Sequence, residues 1–285
     1  MKRWLFVVAL LSLAMEADLK VRLDTMPLAA QTPAFEAASV KKNAGGGPPG
    51  MEIRVTPNGG FIATNVPLRV LVRESFRVQD YQVIDLPGWA DGERYDITAR
   101  SAGATPDWQP MVQTLLRERF ALSARRETRD MPIYAVASVR EGRTGPGLKV
   151  TPASTTEYCV AQRLPEGQRP ATNPAIGFCG MRQALGMVQG RDLPLTALWR
   201  FVSQQAGRAI VDRSGLTGNY DFDLTWTPEQ FANRTTPAVV NGNTIDPNGP
   251  SLFTALQEQL GLRLDAQRGP VDVLVIEKID RPTEN

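Results

Sequence analysis

Two tryptophans and three aspartates are the side chains of this sequence best suited to chemistry or ligand contact. Trp89 lies in DLPGWADGERYD and Trp226 in DLTWTPE, and a tryptophan ring offers a broad apolar face to a sugar or a peptide. Asp212 opens the turn DRSG, and Asp221 and Asp223 stand two positions apart in NYDFDLT. Paired carboxylates can hydrolyse glycosides without histidine. We therefore take these five residues as candidate ligand-binding residues, and the aspartates as candidates for acid–base chemistry.

The strand that carries two of these aspartates also has a structural interpretation. Successive side chains of a strand point to opposite faces, so Tyr220, Phe222 and Leu224 share one face and the two aspartates share the other. A half-buried antiparallel strand normally has one apolar face and one solvated face. Large aromatic side chains are usually mostly buried, so the tryptophans more often fill a seam between a turn and a sheet. The pattern favours structural roles and predicts no catalytic residue.

The absence of histidine from the sequence removes several chemistries. Ser-His-Asp catalysis, Cys-His catalysis and histidine-ligated zinc all need an imidazole. Two cysteines alone do not complete the ligand set of a structural zinc, and no D-x-D-x-D-G loop supplies the oxygens that calcium needs. Glycine-rich phosphate loops and the G-x-S-x-G nucleophile elbow are also missing. We predict no metal and no cofactor, and we lean away from an enzyme.

The N-terminus has the form of an export signal. A basic start, MKR, precedes WLFVVALLSLA, an apolar segment too short to span a bilayer comfortably. Small residues at Ser12 and Ala14 predict cleavage after Ala14, while cleavage after Ala17 and an uncleaved membrane anchor stay open. The mature protein is therefore expected in the periplasm or outside the cell. No later run approaches the length of a membrane span.

Charge and cysteine content narrow the expected partners. Removal of Lys2 and Arg3 leaves basic and acidic side chains in balance, so the mature chain lacks the basic excess that drives binding to nucleic acid. Cys159 and Cys179 occupy a stretch rich in Pro, Gly and Gln. In an exported protein such a pair most simply forms one disulfide, with free thiols as the alternative. A redox pair would want the closer spacing C-x-x-C.

One pattern of elements runs through the chain twice. Each copy has an apolar helical stripe introduced by a proline, then a strand containing Tyr-Asp, then a helix that runs into a strand, then a proline-led strand. The matched segments are 66–76 with 193–205, 94–100 with 219–225, 115–127 with 255–267 and 131–139 with 269–277. Four matches in the same order predict an internal duplication.

We therefore predict an α+β fold of two similar lobes, each with helices packed on a small, mostly antiparallel sheet. Asn58-Gly59 predicts a hairpin in the first lobe, because both residues tolerate a positive φ. The predicted parts are a signal peptide (1–14), a loose arm (15–34), a first lobe (35–140), a loop-rich bridge with the cysteine pair (141–180) and a second lobe (181–285). Within the second lobe, residues 231–250 are rich in Asn, Gly and Pro and are expected to form a mobile insertion.

Six stretches, which span most of residues 35–285, carry a resemblance to a known family. They are FEAASVKKN, GGFIATNVPLRVLV, PGWADGERYDITA, LLRERFALSARRETRDMPIYAV, VDRSGLTGNYDFDLTWTP and GPSLFTALQEQLGLRLDAQRGPVDVLVIEKIDRPTEN. In this order they resemble a family of exported proteins with a domain of unknown function, much expanded in soil Acidobacteria. In some relatives a similar region follows a membrane metallopeptidase of the antibiotic-sensor type. The resemblance implies a sensing or binding module outside the membrane, and it brings no catalytic residues.

The leading hypothesis is an exported, non-enzymatic binding or sensing module whose partner is an envelope protein, a peptide or a glycan. An extended peptide could add to an exposed strand edge of either lobe. The alternative is a carboxylate-dependent hydrolase of the cell envelope, which needs two carboxyl groups about 5–10 Å apart in one pocket. The sequence leaves the ligand and the oligomeric state open.

Overall fold

The computed structural model of the chain describes residues 32–45, 50–103, 107–140, 142–240 and 242–282. The expected signal peptide (1–14) and most of the expected arm (15–34) lie outside these residues. Within the described ranges, each helix is too short or too polar to cross a membrane. Helices combine with small, mostly antiparallel sheets, so the predicted α+β class is confirmed.

The first half of the chain forms an antiparallel sheet and several helices. Its elements are β1 (Ala37–Lys42), β2 (Glu52–Val55), β3 (Gly60–Pro67), α1 (Leu68–Phe76), β4 (Val83–Ile84), α2 (Trp89–Gly92), β5 (Arg94–Arg100), α3 (Gln109–Arg119) and β6 (Ser123–Ser138). The sheet has the order β1–β5–β3–β2. The predicted hairpin is confirmed, with Gly59 at a φ of +78° in the turn between β2 and β3. Glycine adopts that φ without steric cost.

The second half has a similar arrangement. Its elements are β7 (Leu148–Val150), α4 (Ala153–Ala161), β8 (Gly180–Ala184), β9 (Met187–Pro194), α5 (Leu195–Ala206), β10 (Ala209–Asp212), β11 (Asn219–Thr225), β12 (Ala238–Val240), β13 (Asn243–Ile245), α6 (Leu252–Ala255) and β14 (Leu262–Lys278). Its sheet has the order β7–β11–β9–β8. Tyr220, Phe222 and Leu224 of β11 are all buried, which confirms the predicted apolar face.

A third sheet joins the halves through their longest strands. β6 and β14 pair antiparallel from Ser138 opposite Leu262 to Ser123 opposite Lys278. β10 adds parallel to β6, and β4 adds parallel to β14. Each half therefore supplies a short strand to the long strand of the other half.

The long strands correct one expectation from the sequence. Pro132 and Pro270 predicted a strand break, and the structure has one continuous strand through each proline. A proline has no N–H for a neighbouring strand, so sheets accept it where one side of the strand is unpaired. β10 pairs with β6 only from Ile133 onward, and β4 pairs with β14 only at Leu274 and Val275. One side of each strand at its proline is thus an edge.

The hydrophobic cores cross the boundary between the halves. Leu274 and Ile276 of β14 belong to the core of the first half, and Val136 of β6 belongs to the core of the second. A smaller cluster that includes Ile133 and Val273 lies in the shared sheet. Burying an aliphatic side chain of this kind contributes about 1.5–3 kcal/mol. Each half therefore completes its core with the long strand of the other.

Helices and strands also occur in two segments for which the sequence predicts loops. The bridge (141–180) supplies β7, which pairs with β11, and α4, which contains the buried Cys159. The insertion (231–250) contains the β12–β13 hairpin. α4 has the sequence ASTTEYCVA, which lacks an apolar stripe, so periodicity alone does not predict it.

Candidate functional site

Asp221 supports a bulge in strand β9. The β9–β11 register shifts between Tyr220 and Phe222, and Asp192 at the shift has a φ of +55°. The Oδ1 atom of Asp221 accepts hydrogen bonds from the Asp192 N–H at 3.0 Å and from the Thr151 hydroxyl at 2.9 Å. A bulge leaves such an N–H without a partner in the ladder, so the carboxylate satisfies it. Asp221 therefore has a structural role.

The first half stabilises a bulge with the same chemistry. The β3–β5 register shifts between Ala63 and Val66, and Asn65 has a φ of +55°. The Oδ1 atom of Asp96 accepts the Asn65 N–H at 2.8 Å, and the Asn43 amide donates to both carboxylate oxygens at 3.0 Å. In the Tyr-Asp sequence that β5 and β11 share, the aspartate therefore stabilises a bulge in the neighbouring strand.

Asp223 and Asp212 have other partners. Asp223 is exposed, and the Nη2 atom of Arg191 lies 3.0 and 3.1 Å from its two carboxylate oxygens. Asp212 accepts the Trp199 indole N–H at 2.6 Å and the Ser214 backbone N–H at 2.8 Å. The three aspartates selected from the sequence therefore belong to three separate hydrogen-bonding groups.

Trp89 is half-buried beneath the C-terminal segment. The guanidinium carbon of Arg281 lies 4.8 Å from the centre of its ring. Arg281 Nε also donates to Glu93 at 2.8 Å, and Lys42 and the Tyr95 hydroxyl contact the same carboxylate at 3.0 and 2.9 Å. The hydrogen bond from Arg281 is the largest of the effects that lower the pKa of Glu93 to about 2. Burial and the neighbouring Glu93 raise the pKa of Tyr95. This group fastens the C-terminal segment to the first half.

Trp226 borders a cavity of about 380 Å³ next to the insertion hairpin. Gly186 and Ile245 line the same cavity. The tryptophan is only 8% exposed, and its ring packs edge-on against Phe201 with the ring centres 5.9 Å apart. Most of its surface is therefore used for packing in the second core.

The predicted disulfide is confirmed. The sulfur atoms of Cys159 and Cys179 are 2.05 Å apart, and the bond ties α4 to the segment before β8. A cavity of about 450 Å³ lies beside it and is lined by both cysteines, Tyr158, Phe178 and Arg182. The Arg182 guanidinium stacks on Phe178, with its central carbon 4.2 Å from the ring centre.

A cleft between the halves collects long polar side chains that the sequence analysis did not select. Its volume is about 450 Å³. Its lining comes from α1, the segment directly after it and the start of α3 in the first half, and from β8 and α5 in the second. Three arginines and four glutamines line it: Arg73, Arg77, Arg200, Gln79, Gln109, Gln183 and Gln204. The remaining lining residues are Glu74, Val78, Met181 and Phe201. We call this surface the arginine–glutamine cleft.

The two long helices of the cleft contribute matched positions. α1 and α5 each follow a proline and begin with a buried leucine, Leu68 or Leu195. Residues at equal distances from these leucines line the cleft together. The pairs, each 127 positions apart, are Arg73 with Arg200, Glu74 with Phe201 and, at the residue directly after α1, Arg77 with Gln204. Corresponding faces of the two helices therefore border one space.

The first-half arginines of the cleft are already paired with acids. Arg73 lies 2.8 Å from Glu74 and 3.1 Å from Asp80. Burial lowers the pKa of Arg73, but its bonds to these two acids outweigh that effect and raise the pKa above its ordinary value. Arg77 lies 3.0 Å from Asp107, and both of these side chains are largely exposed. The charge of this side of the cleft is therefore partly neutralised.

Arg200 is exposed on α5, and it has no acidic partner among the residues that the structure describes. The helix behind it is well anchored. Trp199 is buried and bonds Asp212, and Ser203 is hydrogen-bonded to Tyr81 of the first half, whose pKa is raised by burial. Arg200 is thus a charged donor that projects from a rigid element into the cleft.

This cleft could not be predicted from the sequence, for a physical reason. Arginine and glutamine on the polar face of a helix are normally solvated, and nothing local distinguishes a face that borders a cleft. The detectable signal was the helix alignment itself, which pairs Arg73 with Arg200. In the described part of the chain, no group of three His, Cys, Asp or Glu side chains is placed to hold a metal ion.

Comparison with protein families identifies one that includes this chain. Residues 69–279 match the family described as "Protein of unknown function (DUF3738)", and the chain belongs to that family. The matched region begins within α1 and ends after β14, so it contains both sides of the cleft. The search of curated proteins and the search of solved structures gave no match.

Proposed function

We propose that this protein is a non-catalytic binding module that holds an anionic ligand in the arginine–glutamine cleft. The observation that carries the proposal is the convergence of three arginines and four glutamines from both halves on one cavity. A guanidinium binds carboxylates and other oxyanions through paired N–H donors. A glutamine amide can both donate and accept, so it suits the hydroxyl or amide groups of a glycan or a peptide.

The cleft also contains surface for the apolar part of such a ligand. Phe201 belongs to the second core and Met181 packs against that core, and both residues also line the cleft. Its one lining carboxylate within the described residues, Glu74, is paired with Arg73. This donor set suits recognition better than acid–base chemistry, which would want two carboxylates facing one another.

The setting of the protein is the cell envelope or the extracellular space. The disulfide between Cys159 and Cys179 fits an oxidising compartment. Export through the signal peptide, with cleavage after Ala14, remains part of the proposal, as does a sensing role of the kind that the resemblance implies. The predicted lobe boundaries, 35–140 and 181–285, also remain proposals.

An internal duplication accounts for the matched halves. Support comes from the equivalent helices α1 and α5, the bulges held by Asp96 and Asp221, and the reciprocal use of β4 and β10 in the shared sheet. Under this proposal the cleft lies where two copies of one helix face each other. A site on such a seam can bind one ligand through both copies.

The hydrolase alternative receives no specific support. Asp212, Asp221 and Asp223 each accept hydrogen bonds that hold local structure. No observation favours turnover over binding, so we propose one function.

Calorimetric titration of residues 15–285 tests the proposal with three probes: oligogalacturonate, oligoglutamate and neutral dextran. We expect at least one of the anions to bind, dextran not to bind, and affinity to fall with added salt. Arg200→Gln should weaken binding about tenfold, or about 1.4 kcal/mol. Arg100→Gln is the matched control, because Arg100 is exposed on β5 and does not line the cleft. Binding that is unaffected by Arg200→Gln, or release of shortened products, would contradict the proposal.

A further inference from the structure

Strand β8 lies at an open edge of the second-half sheet. The order β7–β11–β9–β8 puts it last, and it pairs with β9 from Gly180 opposite Arg191 to Ala184 opposite Met187. Among the described strands, none pairs with its other side. An edge strand presents unpaired N–H and C=O groups, and a peptide can use them to add a further strand.

Both faces of β8 border a cavity. Met181 and Gln183 line the arginine–glutamine cleft, whereas Gly180 and Arg182 line the cavity beside the disulfide. This alternation follows from the pleat, which turns successive side chains to opposite faces. Each cavity has a volume of about 450 Å³. The alternate side chains of a strand added to β8 would therefore enter the two cavities in turn.

The hairpin between β8 and β9 determines which backbone groups face outward. Its loop has two residues, Leu185 and Gly186, and Gly186 has a φ of +76°. In such a hairpin the closing pair exchanges hydrogen bonds, and bonded and non-bonded pairs then alternate along the strands. The N–H and C=O groups of Met181 and Gln183 consequently point away from β9. The two β8 residues that line the cleft therefore also have the backbone N–H and C=O groups that are available to an added strand.

The charge around the two cavities favours an acidic partner. Their described linings contain five arginines and one acid: Arg73, Arg77, Arg163, Arg182, Arg200 and Glu74. Asp80 and Asp107 already pair with two of these arginines. Arg163, Arg182 and Arg200 have no acidic partner among the described residues, and of these three only Arg200 lines the arginine–glutamine cleft.

We propose that the ligand of the cleft is an extended acidic peptide that adds as an antiparallel strand to the outer edge of β8, with acidic residues opposite Met181 and Gln183. This inference rests on the proposed function and specifies its ligand. Peptide residues opposite Met181 and Gln183 share the face of those residues, because cross-strand neighbours point the same way. Carboxylates at these alternate positions reach the cleft arginines, while main-chain hydrogen bonds to β8 supply sequence-independent affinity.

Fluorescence anisotropy with a labelled peptide of alternating Glu and Tyr tests the inference on residues 15–285. One version carries N-methyl groups on the Glu amides, which would face β8, and a matched version carries them on the Tyr amides. The first modification should weaken binding at least tenfold, and the second should change it less than threefold. On the protein, Gln183→Pro and Gln183→Ala both remove the cleft side chain, but only Gln183→Pro also removes an outward N–H, so Gln183→Pro should bind the peptide about tenfold more weakly than Gln183→Ala.

The outcomes separate the two proposals. A selective loss with methylated Glu amides and with Gln183→Pro supports strand addition to β8. Equal affinities of the two methylated peptides, or no peptide binding, overturn it. If oligogalacturonate then still binds in a manner that depends on Arg200, the cleft binds anions without strand addition. If neither probe binds, the inference and the proposed function both fail.

Discussion

The two halves of this protein share an arrangement of strands and helices, but their edge strands differ. β2 of the first half carries Glu52 and Arg54, whose charged groups pair with each other at 3.3 Å. β8 of the second half instead lies between the arginine–glutamine cleft and the cavity beside the disulfide. Charged side chains on an edge strand discourage further pairing. β8 also carries a charged residue, Arg182, but its guanidinium stacks on Phe178 beside the disulfide cavity. The two edges therefore differ mainly in the cavities that flank β8, and this difference is the basis for proposing β8 as the edge that takes a partner.

The two halves also differ in the elements that supplement the shared arrangement of strands and helices. The second half has α4, the disulfide and the insertion hairpin, and none of these has a counterpart among the described residues of the first half. The segment that the disulfide fixes leads directly into β8. α4 and the disulfide line a cavity with β8, and the insertion hairpin lines a cavity with the turn between β8 and β9.

The largest expected effect tests whether the halves share their cores. Leu274 is 1% exposed and belongs to the core of the first half, although its strand comes from the second. Leu274→Ala should lower the free energy of unfolding by about 3 kcal/mol, because it leaves a cavity. Hydrogen exchange should then accelerate in α1 and α3 of the first half.

Val150→Ala is the control for that substitution, since Val150 is 71% exposed on β7. It should change stability by less than about 0.5 kcal/mol. Faster exchange confined to the second half after Leu274→Ala would show that the cores are independent.

The next largest expected effect is the loss of stability when the aspartate that supports either bulge is replaced. Asp221→Ala and Asp96→Ala each remove a carboxylate that satisfies a bulge N–H, so each should cost about 2 kcal/mol in urea unfolding. Asp223→Ala removes a pair with Arg191 and should cost less than about 1 kcal/mol. Loss of ligand binding in Asp221→Ala without loss of stability would instead assign that residue a direct role in the site.

Much of the framework could be predicted from the sequence because its signals are local. β5 and β11 have the predicted bounds, 94–100 and 219–225, since apolar and polar residues alternate along them. α1 and α5 follow from an initial proline and an apolar stripe. The disulfide could be predicted because the sequence has one cysteine pair and its first residues predict export.

The remaining features depend on contacts between distant parts of the chain. β4 is too short to show a periodicity, and the continuity of β6 and β14 through their prolines depends on where β4 and β10 stop. Asp221 resembles a reactive carboxylate until the bulge at Asp192 is seen. The cleft exists because two helices far apart in sequence border one space, which no local pattern encodes.

The smallest effect is a dependence on pH in the first half. The pKa of Glu93 is lowered to about 2 from an ordinary value of 4.5, chiefly by its hydrogen bond from Arg281. A lowered carboxyl pKa stabilises the fold above the unfolded value and loses that contribution as the pH falls toward the folded value. Stability in urea should therefore decline between pH 4.5 and about 2. Glu93→Gln should reduce this decline, and an unchanged decline would exclude the Glu93–Arg281 contact as its source.

The central claim is that one anionic ligand is held by both halves at the arginine–glutamine cleft. Hydrogen exchange of residues 15–285, with and without saturating oligoglutamate, tests it most directly. We expect slower exchange in α1, in α5 and at Met181 and Gln183 of β8, with no release of shortened products. Slower exchange confined to one half, or centred on the Trp226 cavity, would contradict the claim.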